Sequence, residues 1–254
     1  MEKPLRTSAK TSALLCGNRR LRGLLLLLLL CLPALPSLAQ GPMSIVELVD
    51  MDKKVQPDRL QNLCKKQGYT DVIIYYWHRA SNSLAHLVAY GPEAHIKQLL
   101  PLIKKAYSPF VSYYDAPFYK FDRHYCPDKT VAKQWDNIIL TANLVKDSIK
   151  QKEYLDYHAT QFQKWPEVAQ GFCNASFQQL LVFRQGRQLM LVISIPKGAS
   201  LDELNPKTAL NNPRVDDWNA LMKQYQEGVS GTKPGETWVF LKPVVANKPV
   251  LAEQ

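Results

Sequence analysis

The sequence predicts an α+β protein built from two tandem ferredoxin-like βαββαβ units. Three observations carry this. Apolar runs of strand period alternate with runs of helix period, and they do so in the same order over 44–124 and 136–244. Prolines stand at helix starts, and Gly-Pro or Arg-Gln-Gly-Arg segments punctuate the strands. With 254 residues and 46% hydrophobic composition, the chain can bury two small cores or one large one. No literal repeat relates the halves, so the duplication rests on element order alone.

In the first half, Ile45–Val49 reads as a short apolar strand. Pro57 opens a helix over Asp58–Gln67, with Leu60, Leu63 and Cys64 on one face. Asp71–His78 is β-branched and aromatic, Ser81-Asn82-Ser83 turns the chain, and Leu84–Tyr90 returns it before Gly91-Pro92. Ala94–Ala106 repeats Ile96, Leu99, Leu100 and Ile103 at helical spacing despite Pro101, and Phe110–Tyr114 is the last strand. A linker follows over Tyr125–Gln134.

The second half repeats the order. Asn137–Leu144 is a strand, and Asp147–Cys173 is helical in two pieces around Pro166. Phe177–Phe183 and Gln188–Ile195 form a hairpin across Arg184-Gln185-Gly186-Arg187, whose arginines are expected to face solvent. Pro213 opens a helix over Arg214–Tyr225, with Val215, Trp218, Leu221 and Met222 on one face, and Thr237–Leu241 closes the unit.

The formal charge of +10 overstates the basic character. Residues 1–39 hold six Lys/Arg and one Glu, so removing them takes away +5 and leaves +5. A charge that small, spread over the remainder, does not point to nucleic acid. Residues 1–39 read as a secretory signal: a basic segment ending in Arg22, a leucine core from Leu24, then Pro33 and Pro36, with cleavage expected after Ala39. The apolar core is about ten residues, short of the roughly 20 that span a bilayer. A periplasmic or secreted protein without membrane attachment after cleavage is expected. Cys64, Cys126 and Cys173 then remain; the readings are a Cys64–Cys126 disulfide, since both lie in the first half, or three separate cysteines.

Four motifs of the second half carry a resemblance. They are Glu153-Tyr154-Leu155-Asp156-Tyr157-His158, Trp165-Pro166-Glu167-Val168, the segment from Asn212-Pro213 through Trp218 to Leu221-Met222, and Pro234-Gly235-Glu236-Thr237-Trp238. In this order they resemble the L-rhamnose mutarotase family, especially its L-fucose-mutarotase-like branch. The resemblance covers about 136–244 and does not extend to the first half. It implies a ferredoxin-like αβ-barrel, in which two chains usually pair through their sheets. Here the upstream unit is expected to supply the second sheet, giving an intramolecular αβ-barrel-like pair and a monomer; a homodimer is the other arrangement.

The resemblance implies an isomerase that interconverts the anomers of a 6-deoxy-hexose or similar free sugar, without metal or cofactor. It places His158 as acid/base and Tyr154, four residues earlier on the same helical face, as its partner. Trp165, Glu167 and Trp218 become candidate sugar contacts. Two departures stand out. Six residues separate His158 from Trp165 where the family has about three, so Trp165 converges on His158 only if a break absorbs the insertion. The strand before the hairpin, Gln179–Phe183, lacks the tyrosine that rhamnose-type members place there. The aromatic run Tyr113, Tyr114, Phe118, Tyr119, Phe121, Tyr125 reads as the interface between the halves or as a carbohydrate groove. A non-catalytic exported module binding sugar or protein on the same fold is the alternative. No phosphate loop, nucleophile elbow or His-Glu-x-x-His is present.

Overall fold

The computed structural model describes residues 41–50, 56–78, 85–107 and 110–244. The leader and the Ser81-Asn82-Ser83 turn lie outside these residues.

The element order is β1 (Met43–Asp50), α1 (Pro57–Lys66), β2 (Ile73–His78), β3 (Ala85–Pro92), α2 (Glu93–Tyr107), β4 (Val111–Tyr114), β5 (Tyr119–Asp122), β6 (Trp135–Leu144), α3 (Ser148–Ala159), α4 (Gln161–Lys164), α5 (Pro166–Asn174), β7 (Gln179–Gln185), β8 (Gln188–Pro196), α6 (Leu201–Leu204), α7 (Pro213–Lys223), β9 (Gln226–Glu227) and β10 (Val239–Pro243). Prolines sit in the first turn of α1, α5 and α7, where the missing N–H costs nothing. Asp147 caps α3, accepting from the backbone N–H groups of Ile149 and Lys150 at 2.8 and 3.2 Å.

Among the described residues, the strands make one antiparallel sheet in the order β4-β1-β3-β2-β10-β6-β8-β7-β5, with β9 added to β6. Both faces are buried, and alternation divides the strand residues between them. On β8, Met190 and Val192 face one way while Leu189, Ile193 and Ile195 face the other. The first set joins Ile45, Tyr75, Val88, Tyr90, Tyr114, Ile139, Leu181, Phe183 and Leu241 in an apolar cluster shared by both halves. The other faces are covered by helices. α1 and α2 pack Leu60, Cys64, Ile96, Leu99 and Ile103 onto the first half, and α3, α5 and α7 pack Tyr154, Val168, Trp218 and Met222 onto the second.

One polar cluster interrupts the shared layer. Glu47 is fully buried on β1 and accepts hydrogen bonds from His86 Nδ1 at 2.6 Å, Tyr114 Oη at 2.7 Å and Gln188 Nε2 at 2.8 Å. Gln188 belongs to β8, so the buried carboxylate ties the two halves together.

Three expectations change. The disulfide joins Cys126 to Cys173, not to Cys64. Cys64 points from α1 into the first half's own helix–sheet layer, where burial pushes its thiol pKa up to about 11, whereas Cys126 follows a turn laid against α5. The helical stretch after Asp147 is three pieces, because Thr160 and Trp165 both leave helical geometry. Arg184 and Arg187 are half-buried rather than solvent-facing: Arg184 donates to Gln151 Oε1 at 2.9 Å and Arg187 pairs with Glu227 at 2.9 Å.

Candidate functional site

A cavity of about 380 Å³ lies between the second half's sheet and its helices. Its apolar wall comes from β7, β8 and α5 through Leu180, Val182, Leu191, Ile193, Val168 and Phe172. Its polar wall comes from Tyr119, Tyr154, His158, Asn205, Asn219, Lys223 and Gln226. A volume of this size suits a small ligand with one apolar and one hydroxylated face.

α3 positions the central pair. Tyr154 and His158 are one helical turn apart and both buried, at 2% and 8% exposure, on the face turned to the cavity. Their ring centroids are 4.2 Å apart. His158 Nδ1 lies 2.9 Å from the Tyr154 carbonyl oxygen, which can only accept, so Nδ1 carries the proton. Nε2 is then a lone-pair nitrogen, with no hydrogen-bond partner among the described residues. Burial draws the imidazole pKa down from 6.5 to about 4, against the opposing effect of that hydrogen bond. The imidazole is therefore neutral at pH 7. Burial raises the Tyr154 phenol, a shift the Gln226 hydrogen bond partly offsets, so the phenol keeps its proton.

The remaining candidates separate. Trp218 lines the cavity and sets its ring 5.2 Å from His158. Trp165 is not in the lining. It packs 5.6 Å from Trp218, with the Arg214 guanidinium 3.8 Å above its ring, and so supports Trp218 from behind. The three extra residues of the six-residue spacing are taken up as the separate turn α4, and this is why Trp165 still reaches the cluster. Glu167 also stands off the cavity: its Oε2 is 3.9 Å from Arg214 Nε, and its backbone oxygen accepts from Asn212 Nδ2 at 2.8 Å. The candidate sugar contacts Trp165 and Glu167 are thus placed outside the lining.

Several lining residues lie outside the predicted site set. Tyr119 stands on β5, which pairs with β7 so that Tyr119 lies opposite Val182. A tyrosine thus reaches the wall from outside the expected strand, its hydroxyl donating to Gln161 Oε1 at 2.8 Å. Phe118 and Tyr119 place their rings 5.7 and 5.2 Å from His158, so part of the aromatic run serves this cavity. Gln226 and Trp238 form the far edge, Gln226 Nε2 lying 3.1 Å from Tyr154 Oη. Only the Gly-Glu-x-Trp motif hinted at Trp238. Among the described residues, no group of three or more His, Cys, Asp or Glu could hold a metal ion, and no helix is long and apolar enough to cross a membrane.

Comparison with known proteins bears on this half. The model of the L-rhamnose mutarotase family matches residues 137–245. The L-fucose mutarotase of Xanthomonas campestris pv. campestris is 31% identical over 74 residues, which are 29% of this chain and 58% of that protein, so the match spans less than two thirds of the relative. A solved structure described as a glycine cleavage system transcriptional repressor aligns with 79% of this chain and 98% of its own at 15% identity, with a TM-score of 0.24, too low to support any argument.

Proposed function

We propose that this chain, whose second half belongs to the L-rhamnose mutarotase family, interconverts the anomers of a 6-deoxy-hexose or similar free sugar in the cavity over α3. The observation that carries the reading is the adjacency of Tyr154 and His158 on the cavity wall, a protonated phenol beside a neutral imidazole with a free Nε2.

Ring opening needs a base and an acid together. His158 Nε2 takes the proton of the anomeric hydroxyl, and the C1–O1 bond becomes a carbonyl. The bond from C1 to the ring oxygen breaks, and that oxygen takes the Tyr154 proton. The open-chain aldehyde rotates about its bond to C2. Closure on the other face returns one proton to Tyr154 and the other to the new anomeric oxygen. The phenolate and imidazolium formed midway neutralise each other within the site. Trp218 offers a flat apolar surface to one sugar face, and the wall of Leu180, Val182 and Leu191 suits a methyl in place of a hydroxymethyl group.

The strand orders β4-β1-β3-β2 and β10-β6-β8-β7 repeat the same pattern, which supports tandem ferredoxin-like units over 44–124 and 136–244 that pair within one chain. A monomer in light scattering is then expected; a constitutive dimer through the second sheet counts against this pairing. Export follows from residues 1–39 read as a signal, and the Cys126–Cys173 disulfide is consistent with an oxidising compartment. A second reading, a binding module without turnover, has one observation in its favour: His158 is deeply buried and its Nδ1 is held by its own helix.

Exchange NMR at the anomeric protons of L-fucose and L-rhamnose tests the proposal. Saturation transfer that needs the protein and is lost in His158→Ala is expected. Transfer that survives the substitution moves the base elsewhere, and binding without acceleration favours the module.

A further inference from the structure

We infer that Gln226 and Trp238 form a relay that holds the Tyr154 hydroxyl as a hydrogen-bond donor toward the cavity. The inference rests on the mutarotase reading for its catalytic meaning, but its geometry can be tested alone.

The amide of Gln226 lies between two groups. Trp238 Nε1 is 3.1 Å from Gln226 Oε1, and Gln226 Nε2 is 3.1 Å from Tyr154 Oη. An indole N–H can only donate, so the end of the amide that faces Trp238 is the oxygen. The end that faces Tyr154 is therefore the NH2 group, and the tyrosine oxygen accepts. The indole decides this orientation, which the shape of the amide alone would leave open. Tyr154 makes no other side-chain hydrogen bond among the described residues, so its own O–H is left for whatever occupies the cavity. When that proton leaves, the same NH2 group stabilises the phenolate.

The backbone holds both relay residues in place. Gln226 sits on β9, opposite Leu144 of β6, and the neighbouring Tyr225 carbonyl accepts from Val145 N at 2.9 Å. The loop back to Trp238 folds tightly because Gly228 has no Cβ: one added there would collide with Thr232 and the Glu236 carbonyl. Gln226 and Trp238 are positioning residues, acting through Tyr154.

Three variants read the relay in activity. Gln226→Glu presents only acceptors, takes both the indole N–H and the phenol O–H, and withdraws the proton from the sugar. The exchange rate is expected to fall ~100-fold at neutral pH and to recover in part on acidification, as the new carboxyl gains a proton it can donate. Gln226→Leu removes the relay without capturing the proton, and a ~10-fold loss with an unchanged pH profile is expected. Trp238→Phe frees the amide to rotate and is expected to fall between them. A merely structural role predicts the reverse order, since Glu is the closer isostere. Gln226→Leu worse than Gln226→Glu at neutral pH overturns the inference.

The second arm needs no activity. In 15N-labelled protein, Tyr154→Phe keeps the ring and removes only the accepting oxygen. The side-chain NH2 resonances of Gln226, assigned by their loss in Gln226→Leu, are expected to shift while the Trp238 indole resonance stays. NH2 resonances unmoved by Tyr154→Phe overturn the relay. If the wild type fails to accelerate exchange of either sugar, the mutarotase reading falls, and this arm still decides the orientation.

Discussion

Lowering the pH from about 7 to about 4 should destabilise the protein through His158 alone by an amount the structure sets. The ring is 8% exposed, and burial draws its pKa from 6.5 to about 4. In the unfolded chain it binds a proton near pH 6.5; in the fold it does so only near 4. Between these values the unfolded state holds more protons, so stability falls as the pH falls. The contribution is fully present above the unfolded pKa, is lost progressively on the way down and levels off below the folded one. The whole loss comes to ~3 kcal/mol. His158→Asn keeps a donor for the Tyr154 carbonyl and cannot titrate. Urea unfolding of both proteins across this range, taken as a difference, isolates the histidine from every other group. The difference should narrow by ~3 kcal/mol toward acid pH. A difference that stays constant within about 1 kcal/mol, or a His158 Cε1 resonance titrating near 6.5, refutes the reasoning.

Further consequences follow from other parts of the fold. Breaking Cys126–Cys173, which closes 47 residues of chain, should cost ~4 kcal/mol in the loop-entropy account, read from urea midpoints of the double serine variant. Cys64→Ala should leave the disulfide and the proposed anomer exchange intact, because Cys64 sits in the first half's own layer. Glu47→Gln should destabilise by ~3 kcal/mol, because an amide turns donors toward one of the three groups that now donate to Glu47; a loss under about 1 kcal/mol would show that the cluster is not the tie between the halves. Gly171→Ala places a Cβ 2.5 Å from the Thr208 carbonyl oxygen and should cost ~1–3 kcal/mol by thermal unfolding, and it should weaken the proposed sugar binding because the displaced segment carries Asn205.

Much of the architecture was legible in the chain itself. Apolar periods of two and 3.6 and prolines at N1 are local properties, and they place the strands and helices of both halves within a few residues. The same holds for Tyr154 and His158: a spacing of four on a helix puts two side chains on one face whatever surrounds them. Short elements such as β5, β9 and α6 escaped, because two to four residues carry too little period to be seen.

Tertiary structure alone decided what meets across long separations. Tyr119 reaches the cavity because β5 pairs with β7, some 60 residues away along the chain. Gln226 meets Tyr154, and Trp238 meets Gln226, because a short strand and a tight glycine turn bring them there. Cys126 finds Cys173 rather than Cys64 because the turn after β5 packs on α5. Glu47, an isolated acid in an apolar strand, is buried with three donors from three other strands. Periodicity tells a residue which face it occupies; only the packing of distant segments tells it what that face touches, and the chemistry of the site lies in those contacts.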